Sequence, residues 1–188
     1  WYLAVTFGKG PHMVSSTENG EIIEQEAIYK QAESDFSEAE KLLPLRWTGV
    51  DLGRATKGGA KGMLAKVYMQ LAGYYKRPGV SDQAKALEYW QKAKNKIEEI
   101  YALNIYSLVP VYKDNFTMTN ENNSESLFEI QFAEGLYNGK ELGAHRPKFL
   151  GLVVDGGAWA DAYPRPWLLD EFRKEKTVDG LEDPRLAV

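Results

Sequence analysis

Aromatic rings and hydrogen-bonding side chains occur together in a glycine-rich stretch near the end of the chain. Residues 133–165 contain six of the 17 glycines and show no sustained hydrophobic period, which indicates a long loop region. Tyrosine and tryptophan rings offer flat faces on which the C–H faces of a sugar can stack, and carboxylate, amide and guanidinium groups can bond its hydroxyls. The stretch therefore predicts noncovalent carbohydrate contact, assigned to Trp159, Tyr163, Tyr137, Arg146 and Asp161.

Each of these rings has an alternative interpretation as a core residue, because Trp and Tyr are usually well buried. Trp167 begins a short helix and is expected to pack against it, and Trp90 and Trp1 are assigned to structural positions. Trp47, in the loop "PLRWTGVDLG", stays open between the two roles. Further polar partners in the loop region are Asn138, His145 and Asp155.

Covalent chemistry has little support in the sequence. Asp155 and Asp161 could in principle form the carboxylate pair of a glycoside hydrolase, but carboxylates in loops are mostly solvated. No nucleophile elbow, phosphate-binding glycine loop or HExxH motif occurs. His12 and His145 have no metal-ligand spacing, although an adventitious calcium ion at the aspartates stays an alternative. We therefore predict a non-enzyme without a metal or cofactor.

Composition narrows the classes of partner. The 23 Lys and Arg against 27 Asp and Glu give a net charge of −4, which disfavours nucleic acid. The 44% apolar content is that of a globular protein, and no run approaches the length of a membrane span. Absence of cysteine excludes disulfides and thiolate sites. The chain starts at "WYLAV" without Met or a leader, so we expect a piece of a longer protein.

Hydrophobic periodicity predicts three successive helices over residues 22–103. The first is amphipathic and ends at Pro44, the second has Thr56 as N-cap and stops at residues 77–79, and the third runs over residues 81–103. The apolar positions of the first are Ile28, Ala32, Phe36, Ala39 and Leu43; those of the second are Leu64, Val67, Tyr68, Leu71, Ala72 and Tyr75; those of the third are Leu87, Trp90, Ile97, Ile100 and Tyr101.

The helices carry a degenerate tetratricopeptide pattern. Residues 64, 65 and 68 match the large-small-aromatic triplet of that repeat's first helix, and Ala86, Trp90 and Ala93 match the triplet of its second. Gly58, Gly59, Gly62 and Ala65 predict a small-residue seam for a neighbouring helix, with a loose first turn of glycines as the alternative. Tetratricopeptide-like hairpins are thus the expected scaffold.

Beyond residue 103 the pattern changes. "SLFEIQF" alternates apolar and polar residues and predicts a half-buried strand near 126–133, and "WLLDEFRKE" predicts a short helix near 166–175. The expected fold is mainly α, with a helical part over residues 22–103 and a loop-rich part with short strands over 104–188. All 188 residues are expected to form one unit.

Five segments, in order, give the chain a family resemblance. It resembles the SusD/RagB family through "AIYKQAESDFSEAEKLLP" (27–44), "GRATKGGAKGMLAKVYMQLAG" (53–73), "YSLVPVYKDNF" (106–116), "NNSESLFEIQFAEG" (122–135), and "PRPWLLDEF" with "DPRL" (164–172 and 183–186). The segments resemble the middle of a longer family member, without its lipidated N-terminus and its C-terminal portion. The family implies a tetratricopeptide-like scaffold with an irregular region laid over it.

The resemblance also implies a role and a location. Members of this family are lipid-anchored glycan-binding proteins on the surface of Bacteroidota, which pass oligosaccharide to a SusC-like TonB-dependent transporter of the outer membrane. The resemblance fixes no binding residues, since no motif for them is present. The alternative is a tetratricopeptide adaptor that grips a peptide in its concave face.

Overall fold

The computed structural model describes residues 1–13, 20–132, 136–137, 140–141 and 165–183. Within these ranges the chain is mainly helical. The helices are α1 (Tyr2–Phe7), α2 (Gln25–Leu42), α3 (Lys57–Lys76), α4 (Gln83–Ala102) and α5 (Pro166–Lys174). The strands are β1 (Gly10–His12), β2 (Glu21–Ile23), β3 (Leu136–Tyr137) and β4 (Lys140–Glu141). Short 3₁₀ turns lie at Gly49–Asp51, Tyr112–Phe116 and Met118–Asn120.

The chain divides into two compact units. The first contains Trp1–Pro110 and Met118–Glu129, with α1 to α4 and the antiparallel pair β1–β2. The second contains Val111–Thr117 and Ile130–Val188, with the antiparallel pair β3–β4 and α5. The predicted division at residues 103 and 104 stays a prediction.

Capping residues and a proline account for several ends of the three long helices. Thr56 caps α3 as predicted, since its hydroxyl accepts the Gly59 N–H at 3.1 Å. Asp82 does the same for α4 through the Lys85 N–H at 3.0 Å. Pro44 follows the end of α2 because it cannot continue the helical hydrogen bonding. The predicted first helix begins later than expected, at residue 25, because residues 21–23 form β2.

The apolar core of the first unit centres on α3, which packs against both α2 and α4. Leu64, Val67 and Leu71 are sealed from solvent, and Ile28 and Ala32 of α2 are buried with them. Burial of each large apolar side chain contributes about 1.5–3 kcal/mol relative to exposure. The predicted stripes of α2 and α3 are therefore confirmed as the inward faces of this helical layer.

Tyrosines supply a second part of this core. The Tyr75 and Tyr89 rings stack at 5.6 Å with an interplanar angle of 18°. Their hydroxyls are satisfied by polar side chains of α2, because Tyr75 donates to the Glu26 carboxylate and the Lys30 ammonium donates to the Tyr89 hydroxyl. Burial raises the pKa of Tyr75 above its ordinary value, and the hydrogen bond to Glu26 raises it further. Part of the aromatic excess is thus structural.

An ionic cluster joins α2, α3 and α4 beside the core. Lys96 lies 3.1 Å from the Glu40 carboxylate and 2.8 Å from that of Glu99, and Lys61 pairs with both carboxylates. The side chains of Lys61 and Lys96 are each only 12% exposed. These ion pairs explain how the charges of Lys61 and Lys96 are accommodated at such low exposure.

The buried face of α4 differs from the prediction. Of the predicted apolar side only Ile100 is buried, and Tyr89 rather than Trp90 takes the packing position between Ala86 and Ala93. Tyr89 fits because its hydroxyl finds polar partners on α2. The exposed fractions of the remaining side chains are 71% for Leu87, 44% for Trp90, 41% for Ile97 and 75% for Tyr101.

The glycines of α3 face a non-helical segment, so the predicted helix seam is wrong. Residues 105–108 and 122–129, here called the strap, cross the first turns of α3. A Cβ on Gly58 would lie 2.6 Å from Cε2 of Tyr106, and a Cβ on Gly62 would lie 3.0 Å from Cδ1 of Leu127. At Gly58 a side chain would overlap the Tyr106 ring, so glycine lets the strap approach this closely, whereas at Gly62 the contact is with the flexible end of the Leu127 side chain. Gly73 faces open space, so it has no such packing reason.

The strand predicted near 126–133 does not form over the described residues 126–132. Leu127 of this segment packs onto α3, and Phe128, Ile130 and Phe132 are exposed. A strand needs a partner strand for its backbone groups, and none lies beside these residues in the described part of the chain. Alternating residue types here mark an extended connection rather than a sheet edge.

The second unit contains short local elements. Tyr112 and Phe116 form an edge-to-face ring pair at 5.2 Å. The helix predicted near 166–175 is confirmed as α5, with Pro166 in its first turn. After α5, the backbones of Lys176 and Glu182 form an isolated antiparallel β-bridge. Across the described ranges, no helix has the length and apolar character needed to cross a membrane.

Candidate functional site

A polar recess opens between the α2–α3 loop and one side of the strap. Its volume is about 180 Å³, below the roughly 300–1,000 Å³ of drug-sized ligand sites, so it suits one small ring or one unit of a longer chain. The loop contributes Leu45, Arg46, Trp47, Leu52, Gly53, Arg54 and Thr56, and the strap contributes Ile105, Tyr106, Asn122, Asn123, Ser124, Ser126, Leu127, Phe128 and Glu129.

The α2–α3 loop holds Trp47 in a defined orientation. The indole Nε1 donates to the Ala55 carbonyl at 2.8 Å, so its polar edge is satisfied by the loop itself. Arg54 lies with its guanidinium carbon 5.9 Å from the centroid of the Trp47 ring, and its Nε is 2.9 Å from Oδ1 of Asp51. Gly53 has φ +89°, a turn that an L side chain rarely adopts. The hydrogen bond at the indole Nε1 edge therefore holds the Trp47 ring in place.

The strap is held together by hydrogen bonds between its two segments. Ser107 donates its N–H to the Ser124 carbonyl at 2.9 Å, and the Ser124 hydroxyl donates to the Ser107 carbonyl at 3.0 Å. The Val109 N–H donates to the Glu125 carboxylate at 3.1 Å. Arg46 ties the strap to the loop, because its Nη2 donates to the Ile105 carbonyl at 2.6 Å. The Arg46 hydrogen bond therefore links the loop and the strap, which form the two walls of the recess.

The chemistry of the recess combines rings with hydrogen-bonding groups. Trp47 and the exposed Phe128 supply apolar surface, while Arg54 and the asparagine and serine residues of the strap supply donors and acceptors. Glu129 accepts the Asn122 N–H at 3.0 Å, so that carboxylate also organises the wall. Such a set can bind a neutral, hydroxyl-rich ring by stacking and hydrogen bonds.

Most of the sequence-predicted site lies outside the described residues. Trp159, Tyr163, Arg146 and Asp161 are all in this group, as are Asn138, His145 and Asp155. Tyr137 lies in β3, paired with Lys140 of β4. The grouping of these side chains into one binding surface stays a prediction.

Two of the other tryptophans, both predicted to pack in the interior, are exposed in the structure. Trp167, expected to pack against its helix, is 62% exposed at the start of α5. Trp90, assigned to a packing position, is exposed on α4. Trp47 borders the polar recess. The signal for it was the arrangement of glycines at 49 and 53 and an arginine at 54 around a loop tryptophan, which predicts a tight, hydrogen-bonded turn rather than a core position.

A curated relative matches nearly the whole chain. A SusD-like protein of Formosa agariphila is 28% identical over 189 residues, which cover 96% of this chain and 32% of the relative. The chain is homologous to this SusD-like protein. It spans about a third of the length of that relative. No family model matches the sequence.

Solved structures show the same SusD-like fold. A crystal structure with xylogluco-oligosaccharide matches with a TM-score of 0.69 at 22% identity, covering 91% of this chain and 35% of that chain. A SusD-like protein from Bacteroides fragilis matches with a TM-score of 0.67 at 20% identity, covering 96% of this chain and 33% of that chain. The mainly helical, tetratricopeptide-like fold class predicted from the sequence is thereby confirmed.

Proposed function

We propose that the protein binds oligosaccharide or polysaccharide without covalent chemistry. The observation that carries this proposal is the polar recess, where the edge-anchored Trp47 ring, Phe128 and Arg54 line one opening with the amides and hydroxyls of the strap. Carbohydrate recognition requires this combination of apolar faces with fixed polar groups. A recess of about 180 Å³ takes one sugar unit and leaves the rest of a chain at the surface.

Relatedness supports the same class of ligand. The chain is homologous to a SusD-like protein, and its fold matches a protein solved with xylogluco-oligosaccharide. Trp159 and Tyr163 remain the proposed stacking platforms of the loop-rich part, with Tyr137 as a further proposed ring and Arg146 and Asp161 as proposed polar partners. A polymeric glycan offers many units, so separated stacking positions add avidity without tight binding at any one.

The experiment is isothermal titration of the protein against a panel of soluble polysaccharides, with xyloglucan oligosaccharides among them. We expect binding to at least one glycan, a loss of roughly 10-fold or more in affinity for Trp47→Ala, and a comparable loss for Trp159→Ala. The matched control is Trp90→Ala, since Trp90 is also a partly exposed ring but lines a different surface. Equal affinities for wild type and the Trp47→Ala and Trp159→Ala variants would mean that neither ring stacks on the glycan. Absence of binding to every glycan in the panel would overturn the proposal.

Delivery to a SusC-like TonB-dependent transporter, from a lipid-anchored position on the outer surface of the outer membrane, is the second part of the proposal. Its support is the homology to SusD-like proteins. Affinity purification from detergent-solubilised membranes should recover an outer-membrane barrel. Recovery of a soluble client instead would favour the tetratricopeptide adaptor.

A further inference from the structure

Two arginines line the polar recess in a chain of overall negative charge. Arg46 and Arg54 both border it, and Glu129 is the acidic residue among the described residues that line it. The chain as a whole carries a net charge of −4. The start of α3 also borders the recess through Thr56, and a helix N-terminus carries a partial positive charge from its aligned peptide dipoles. These groups make the recess a candidate for binding a negatively charged group of the ligand.

The orientation of the charged groups, rather than their sum, favours an anion. The formal charges of the two arginines cancel those of Asp51 and Glu129. Both carboxylates, however, already accept from the protein, since Glu129 accepts the Asn122 N–H at 3.0 Å and Asp51 pairs with Arg54. Arg46 instead donates to a backbone carbonyl of the strap, which positions its guanidinium without cancelling its charge. An anion in the recess therefore meets donors, while the carboxylates are directed toward protein groups.

Arg54 is placed to contact a ligand. Its side chain is 67% exposed, and its closest ion pair is made through Nε, 2.9 Å from Oδ1 of Asp51. Contact through Nε uses one edge of the guanidinium, and the edge formed by the two terminal nitrogens is a second place for an anion to bind with two parallel hydrogen bonds. Asp51 can therefore keep its own contact and hold Arg54 in orientation while a ligand binds.

A sugar ring and its acidic group can use the recess together. The volume of about 180 Å³ takes one sugar unit. Stacking uses the face of the sugar ring, whereas a uronate carboxylate or a sulfate ester is attached at its edge. The guanidinium carbon of Arg54 lies 5.9 Å from the centroid of the Trp47 ring, so a unit stacked on Trp47 can present its edge group to Arg54. Charge-assisted hydrogen bonds are roughly twice as strong as neutral ones, so the acidic unit gains affinity over its uncharged form.

We propose that the polar recess binds an acidic sugar unit, with the carboxylate or sulfate group held by the terminal nitrogens of Arg54 and the ring stacked on Trp47. This inference rests on the proposed function and adds the chemical class of the ligand. Arg46 and the N-terminus of α3 supply further positive potential at the same site.

The test is calorimetric titration with acidic glycans and their uncharged counterparts. The uronate pair is oligogalacturonate and its methyl ester, the sulfate pair is a carrageenan oligosaccharide and its desulfated form, and a xyloglucan oligosaccharide is the neutral reference. We expect at least one acidic glycan to bind about 10-fold or more tightly than its counterpart. The preference should shrink as NaCl rises from about 50 mM to about 500 mM, because salt screens the charges. The pair that shows the preference distinguishes a carboxylate from a sulfate.

Arg54→Gln and Arg173→Gln are matched variants for the same titrations. Each removes an exposed arginine that pairs with an aspartate three residues earlier, but Arg173 lies on α5 and does not line the recess. We expect Arg54→Gln to lose about 10-fold in affinity for the acidic glycan and much less for its uncharged counterpart. Arg173→Gln should bind both forms as wild type does. A variant that had merely lost its fold would weaken both forms equally.

Three results would overturn this inference while leaving glycan binding in place. They are affinity for an uncharged counterpart or for xyloglucan that equals or exceeds that for the acidic glycans, an acidic preference that Arg54→Gln does not reduce, and an equal loss for both forms in Arg54→Gln. Absence of binding to every glycan would instead overturn the proposed function on which the inference rests.

Discussion

The strap separates two hollows that share Tyr106 and Leu127 as walls but differ in their chemistry. The polar recess contains Trp47 with arginine, asparagine and serine groups at fixed positions. The second hollow, between α3 and α4, is lined mostly by carbon atoms of Met69, Ile97 and other apolar side chains. Both contain exposed rings. A ring therefore indicates a carbohydrate ligand only when polar groups at fixed positions surround it.

Removing the shared wall should have the largest effect. We expect Tyr106→Ala to join the two hollows and to lower the free energy of unfolding by about 2–3 kcal/mol, less than for a fully buried ring because Tyr106 is partly exposed. Urea denaturation followed by circular dichroism measures the change. Tyr106→Phe is the control, since it loses only a hydroxyl that lies 3.4 Å from Oγ1 of Thr56. Similar losses in the free energy of unfolding for both variants would mean that the Tyr106 ring does not contribute to stability as the wall between the two hollows.

A methyl group at the contact between strap and helix should have the next largest effect. Alanine favours a helix over glycine by about 1 kcal/mol, but overpacking costs about 1–3 kcal/mol. For Gly58→Ala we expect a net loss of about 1–2 kcal/mol, because its Cβ would meet the Tyr106 ring. Gly73→Ala, which faces open space, should instead stabilise by up to about 1 kcal/mol.

The same urea experiment contains an internal check on this prediction. In a Tyr106→Ala background the Gly58→Ala change should no longer destabilise, because the two residues are coupled through their contact. An unchanged cost in that background would show that the helix, not the strap, requires the glycine.

A substitution in the polar recess should lower the affinity for glycan without changing the stability of the fold. Arg54→Lys retains the positive charge but loses the planar guanidinium that lies by Trp47 and pairs with Asp51. We expect affinity for the bound glycan to fall by about 3–10-fold, equivalent to about 0.6–1.4 kcal/mol, with stability within about 0.5 kcal/mol of wild type. Titration calorimetry and urea denaturation on the same samples measure both quantities. Unaltered affinity would show that the guanidinium takes no part in binding.

The smallest expected effect concerns the ionic cluster that joins α2, α3 and α4. Burial tends to raise the pKa of Glu99, but the hydrogen bonds from Lys61 and Lys96 outweigh burial and hold this pKa below its ordinary value of 4.5. A lowered pKa in the folded state contributes stability above the unfolded value and loses it as pH falls through the folded value. Wild type should therefore lose more stability than Glu99→Gln as pH falls below about 4.5.

The magnitude of this pH effect is a few tenths of a kcal/mol, because the Glu99 side chain is 45% exposed and solvent screens its ion pairs. Urea midpoints from about pH 7 to about pH 3 give the two profiles. Parallel profiles would mean that the lysines do not hold the Glu99 pKa down.

Sequence periodicity predicted the helices because their inward faces consist of ordinary apolar residues. The stripe of α3 and the cap at Thr56 are found as expected. Periodicity misassigned the faces of α4, because it gives Tyr89 less apolar weight than Trp90, although the Tyr89 hydroxyl has partners on another helix. Only tertiary contacts decide which of two neighbouring apolar stripes faces inward.

The glycines of α3 and the segment at 126–132 could be interpreted only in part from the sequence. Glycine spacing predicted a close approach correctly, but not that a strap rather than a helix approaches. Alternation of residue types predicted a half-buried strand, but strand formation also requires a partner strand, which the local sequence does not reveal. For the candidate site, ring type alone favoured residues 137–163, whereas Trp47 required knowledge of the loop geometry around it.

The contact between Gly58 and Tyr106 has a consequence for protein engineering. Because no L side chain fits beneath that ring, the first turns of α3 and the strap accept changes only together, although 47 residues separate their closest positions. A chimera between SusD-like chains should exchange residues 53–73 and 105–129 as one cassette. Transplanting either piece alone would place an incompatible ring above the helix or leave a gap beneath the glycines.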